Sequence, residues 1–102
     1  MIATYYILSN MPNYSGERES WKWAKGELHH WRDFEINVES LNPYDLRACL
    51  TTLKNALPNS PECTGTARSI IQNATIDNLE YSEKYKRLMI YSENCIGVYI
   101  DV

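Results

Sequence analysis

The stretch "TIDNLEYSEKYKRLMIYSENCIGVYIDV", Thr75 to Val102, holds three β-rich runs: "TIDNLEYS", "YKRLMIYS" and "CIGVYIDV". "SEKY", or its inner "EK", separates the first two runs, and "EN" separates the last two, as turns do between antiparallel strands. Successive strand residues point to opposite faces. Leu88 and Ile90 therefore share a face, as do Ile96, Val98 and Ile100. The other face receives Arg87, Met89, Tyr91, Tyr99 and Asp101. One side of this meander needs an apolar cover, and the other is Tyr-rich and half polar.

The cover lies upstream. In "SLNPYDLRACLTTLKNALPN" Asn42 suits an N-cap, Pro43 the first helical position and Asp45 the first turn. Leu46, Cys49, Leu50, Leu53 and Leu57 follow as a stripe along one helical face, and Pro58 ends it. "SPECTGTARSIIQNA" repeats the pattern, with Ser60 as cap and Pro61 behind it. Ala67, Ile70, Ile71 and Ala74 predict a second helix, weakened by Gly65. Ile2 to Leu8 reads as a buried strand, followed by a loop through Pro12 and Gly16. In "FEINVES", Phe34, Ile36 and Val38 alternate with Glu35, Asn37 and Glu39, which predicts a strand with one wet face.

Residues 17–33 fit two patterns. Trp21, Ala24, Leu28 and Trp31 recur at helical spacing, with Glu17 and Glu19 at one end and Arg32 at the other; this favours a helix. In the rival hairpin Trp21 and Trp23 share a strand face and "KG" forms the turn. The whole reads as one α+β domain over residues 1–102: an antiparallel sheet of about four to five strands with two or three helices packed on one face.

Composition narrows the function. The chain has 102 residues, a net charge of −3, and eight Tyr against one Phe. An acidic balance disfavours nucleic acid, whose phosphates demand cations, and suits a basic protein partner. Cys49, Cys63 and Cys95 form no C-x-x-C pair and no zinc spacing, so they read as reduced thiols of a cytoplasmic protein. The N-terminal apolar run lacks a basic flank and is too short to span a bilayer, so no membrane association is expected.

Tests for chemistry return little. His29 and His30 are adjacent, and adjacent side chains diverge on a helix and oppose each other on a strand, a poor geometry for one metal. Cys49 belongs to the apolar stripe; Cys63, placed in a first helical turn, is the best candidate for a reactive thiol but still reads as inert. Glu35 and Glu39, with Asn37 between them, read as a solvated strand face. No phosphate-cradling glycine pattern occurs, and "TGT" at Thr64 to Thr66 reads as a helix start.

The Trp-rich stretch "SWKWAKGELHHWRDF", Ser20 to Phe34, reads as part core and part docking surface, since Trp, Tyr and Arg dominate binding hot spots. Trp21 and Trp31 would face the core, leaving Trp23 exposed. The expected function is that of a small, acidic, non-catalytic binding protein. It would cover a site on a larger protein, in the manner of an inhibitor, an immunity protein or an anti-defence protein. Its contacts would be Tyr14, Trp21, Trp23, His30, Trp31, Arg32, Tyr91 and Tyr99, with no metal or other cofactor. One alternative is binding of single-stranded nucleic acid by Tyr81, Lys84, Tyr85, Lys86 and Arg87, although Lys in such a hairpin also protects sheet edges. Another is a small His/Cys-dependent enzyme or metal protein. An exposed Tyr face could also be buried in a homodimer.

Overall fold

The last strand of the chain lies beside the first, and that pairing joins two hairpin-like halves into one sheet. The structure is a computed structural model that describes residues 1–8, 28–92 and 96–102. Its strands are β1 (Ile2–Leu8), β2 (Leu28–Glu35), β3 (Leu79–Ser82), β4 (Arg87–Tyr91) and β5 (Ile96–Asp101). They form an antiparallel five-stranded sheet in the order β2-β1-β5-β4-β3. Two helices, α1 (Leu46–Ala56) and α2 (Gly65–Asn73), complete the α+β fold. α2 crosses β4 and β5, and α1 packs beside α2 and against β3.

The register places the alternating apolar residues in rows across the strands. One row runs Phe34, Ala3, Ile100, Leu88, Tyr81; the next runs Arg32, Tyr5, Val98, Ile90, Leu79. These rows meet Cys49, Leu53, Ala67, Ile70 and Ile71 from the helices in one core. Burying each large aliphatic contributes roughly 1.5–3 kcal/mol. The meander thus follows its predicted faces, except that Thr75 to Asn78 form a capped 3-10 turn before β3 rather than part of the strand.

Several local expectations are corrected. The helix expected over residues 17–33 does not form where the chain is described, because Leu28–Glu35 is the strand β2, paired to β1. Residues 17–27 lie outside the described residues. β2 stops at Glu35, sooner than "FEINVES" suggested. The burial alternation of Phe34, Ile36 and Val38 nevertheless continues. The ladder ends there because β1 begins at Ile2, and the Met1 nitrogen bonds the carbonyls of Ile36 and Val38 instead.

The start of α1 moves one turn downstream. Asn42 Oδ1 accepts the Tyr44 amide, which makes a side-chain-stabilised turn, and Asp45 Oδ1 caps the helix by accepting the Ala48 amide. Ser60 is likewise not the cap of α2. Its buried hydroxyl donates to the Ala56 carbonyl at 2.6 Å and accepts the Asn37 amide at 2.9 Å, and α2 begins only after Thr64.

On the face away from the helices, Tyr6, Tyr91 and Tyr99 are all buried. Tyr6 and Tyr91 flank Gly97 in the register, and the Tyr6 ring lies over that glycine. A Cβ at Gly97 would stand 2.5 Å from the Tyr6 hydroxyl and 2.6 Å from the Ile90 carbonyl oxygen. Gly97→Ala should therefore destabilise the fold by about 2 kcal/mol or more, lowering the thermal midpoint by roughly 10 °C; an unchanged midpoint would refute the contact. The Tyr6 hydroxyl itself is buried without a hydrogen-bond partner among the described residues, and burial, followed by the charge of Tyr91, pushes its ionisation far up. An orphaned buried hydroxyl costs about 1–3 kcal/mol. Tyr6→Phe should raise the melting midpoint while keeping the same circular dichroism spectrum.

Candidate functional site

Strand β2 forms one edge of the sheet, and its pairing with β1 is irregular. Tyr5 faces Arg32 while Tyr6 faces His30, so Trp31 is the extra residue of a bulge. Bulges bend an edge strand and re-aim a side chain. Trp31 is 68% exposed, and it makes no ring contact or side-chain hydrogen bond among the described residues. This overturns its expected place on a buried helical face: no helical face exists here.

The neighbours of Trp31 are fixed. The His30 Nδ1 and the Tyr99 hydroxyl share a hydrogen bond of 2.9 Å, with the two rings edge to face at 5.7 Å. Arg32 crosses the helix side, where its guanidinium donates to the carbonyls of Glu62 at 3.0 Å and Thr64 at 3.3 Å. It also lies 5.3 Å over the Phe34 ring. Asp33 accepts from the Thr4 hydroxyl at 2.7 Å.

Further along, the outer edge is covered: the Glu35 amide donates to Glu62 Oε1 and the Asn37 amide to Ser60 Oγ. An indole thus projects from a braced strand whose backbone edge is bulged on one side and capped on the other. That geometry suits anchoring by a side chain more than strand addition. Asp33, Glu35, Glu39 and Glu62 are exposed carboxylates on β2 and the segments that follow it. One of them, Glu35, also pairs with the Met1 nitrogen at 3.0 Å.

The other expected contacts fare differently. Tyr91 and Tyr99 were expected on an exposed anchoring face, but they are 8% and 2% exposed. Tyr99 lies under the Arg87 guanidinium, 4.2 Å from its ring centre, and 5.8 Å from the Tyr6 ring. It supports His30 and offers no free surface. Tyr14, Trp21 and Trp23 lie outside the described residues. His29 stands on β2 opposite Ile7.

Both described thiols are buried, as the sequence reading expects of inert cysteines. Cys63 precedes α2 and is fully buried; burial pushes its thiol up, and Arg68 and Arg32 only partly offset this. Cys49 is buried as expected, and its thiol donates to the Asn42 carbonyl at 3.0 Å. Burial and the nearby Asp45 also push it up. Cys95 lies outside the described residues. Among the described residues no three His, Cys, Asp or Glu side chains converge as a metal site would require, and no helix is long and apolar enough to cross a membrane.

Two other features stand apart from β2. A shallow cleft of about 170 Å³ lies between α2 and the β4–β5 end, lined by Thr66, Ser69, Ile70, Asn73, Asn78 and Ser92 among others. Among the described residues its lining offers hydroxyls and amides and no carboxylate, amine or imidazole. The turn between β3 and β4 carries Lys84, Tyr85 and Lys86 at the opposite edge of the sheet. Exposure of Tyr44 (73%) beside this turn had no signal in the sequence beyond its place in "NPYD".

No protein-family model, curated protein or solved structure matches the chain.

Native-state alkylation checks the thiols. Cys49 and Cys63 should react with iodoacetamide only as the protein unfolds, and promptly once guanidinium is added. Prompt modification of either thiol in the native protein, located by peptide mass mapping, would contradict this burial.

Proposed function

We propose that this protein is a non-catalytic binding protein that docks through the β2 edge onto a larger, basic protein and covers a site there. The single observation that carries the reading is Trp31, a large apolar side chain placed in solvent by a bulge. A soluble surface gains nothing from an isolated exposed indole, whereas interface hot spots are enriched in Trp, Tyr and Arg. His30 and Arg32 flank it, each held by its own hydrogen bonds, so little ordering entropy remains to be lost on binding. The nearby carboxylates would steer a basic partner and speed its association at low salt. Inhibitors, immunity proteins and anti-defence proteins act in this way, by occlusion.

The test is capture of the partner by tagged protein from its native lysate, treated with nuclease, followed by affinity measurement on the purified pair. Trp31→Ala should weaken the complex roughly 30-fold or more, with a near-native melting midpoint because the ring is mostly in solvent. An unchanged affinity in a folded Trp31→Ala variant would remove the docking reading. The association rate of the wild type should also fall as salt rises.

A further inference from the structure

We infer that the turn between β3 and β4, residues 83–86 together with Tyr44, is a binding site for single-stranded nucleic acid. It lies at the sheet edge opposite Trp31 and is independent of the docking reading. Lys in a hairpin ordinarily protects an edge strand from pairing. That role does not account for these residues. The edge strand is β3, whose residues are Leu79, Glu80, Tyr81 and Ser82; Lys84 and Lys86 lie beyond its ladder, in the turn.

Two acids at this end have partners of their own, although Glu83 keeps its charge beside Lys84. Glu83 accepts from the Tyr44 hydroxyl at 3.1 Å, and Asp101 holds Arg87 at 3.1 Å. No ion pair engages the ammonium of Lys84 or Lys86 among the described residues. Two rings stand in solvent beside them: Tyr44 at 73% and Tyr85 at 60%. Both are braced. Tyr44 meets Tyr81 edge to face at 5.5 Å, while Lys84 and Arg87 lie 5.3 and 5.8 Å from the Tyr85 ring centre. Tyr81 and Arg87 are therefore supports, and Tyr44, Lys84, Tyr85 and Lys86 are the contacting set.

Exposed rings next to cations with no ion pair among the described residues match a strand of bases on a phosphodiester chain, with rings for stacking and ammoniums for phosphate. An acidic peptide would use the cations and leave the rings idle. Lys86 adds a second kind of observation. Its φ of 55° places a non-glycine residue in the left-handed region, and its carbonyl accepts the Val102 amide at 2.9 Å, which fixes that conformation. Glycine would sit there without strain. Lys86 therefore presents its ammonium from a backbone position where glycine would be the unstrained choice.

The experiment is fluorescence polarisation of a labelled oligothymidylate with the full protein, repeated across a salt series. Binding should weaken with salt, with a log–log slope of about −0.7 for each phosphate contacted. Lys86→Gly should make that slope shallower by about 0.7 while the melting midpoint holds or rises. A merely structural lysine could not produce that combination. Tyr85→Ala should weaken binding roughly tenfold at an unchanged slope. Trp31→Ala should bind the oligonucleotide as the wild type does, whatever becomes of its protein partner. The inference is overturned by absence of binding at low salt, by equal competition from polyglutamate, by equal affinity for duplex DNA, or by loss of oligonucleotide binding in Trp31→Ala.

Discussion

The contact between Tyr6 and Gly97 sets the spacing on which the rest of the sheet depends. A glycine inside a strand normally weakens it and marks a close approach. Here the approach is an aromatic ring laid on the backbone of β5, with no room for a Cβ beneath it. Tyr6 comes from the first strand and Gly97 from the last, so this contact joins the two ends of the chain at the middle of the sheet. It leaves the Tyr6 hydroxyl buried and, among the described residues, unpartnered. The fold tolerates that cost because the ring covers what the glycine would otherwise expose, with Tyr91 flanking the same residue from β4.

From this centre the two faces diverge. The helix side is aliphatic and closed, and its polar groups are spent on structure: Ser60 joins α1's end to Asn37, while Arg32 and Arg68 hold the carbonyls of the connection between the helices. The opposite side is aromatic, linked through Tyr6, Tyr99 and His30 and topped by Arg87. Among the described residues, exposed aromatic rings stand at the two edges. At β2 a bulge turns Trp31 outward; at β3 the turn to β4 carries two lysines with no ion pair among the described residues. The separation follows from antiparallel pairing, which uses the central strands on both sides and leaves only the edges open.

The elements with strong periodicity were legible. The stripe from Leu46 to Leu57 forms α1 and its continuing 3-10 turn, and the alternation from Leu88 to Ile100 forms the inner face of β4 and β5. The segment ending at Phe34 was not, because Leu28 and Trp31 satisfy helical spacing while β2 requires only that β1 be available to pair. Local propensity cannot register a partner that lies more than twenty residues away. The caps erred for a related reason. Asn42 and Ser60 are good capping residues, but each is drawn into a competing bond, one with the following turn and one with the chain after β2.

The sequence by itself determined the α+β class, the faces of the meander, the helical stripes and the burial of Cys49, because each follows from the period with which apolar side chains recur. Only the tertiary structure decided that β5 lies between β1 and β4, that Tyr91 and Tyr99 are buried, and that Trp31 is exposed. Strand order, register and a one-residue bulge are relations between distant segments. They arise from pairing and packing, and no single segment encodes them.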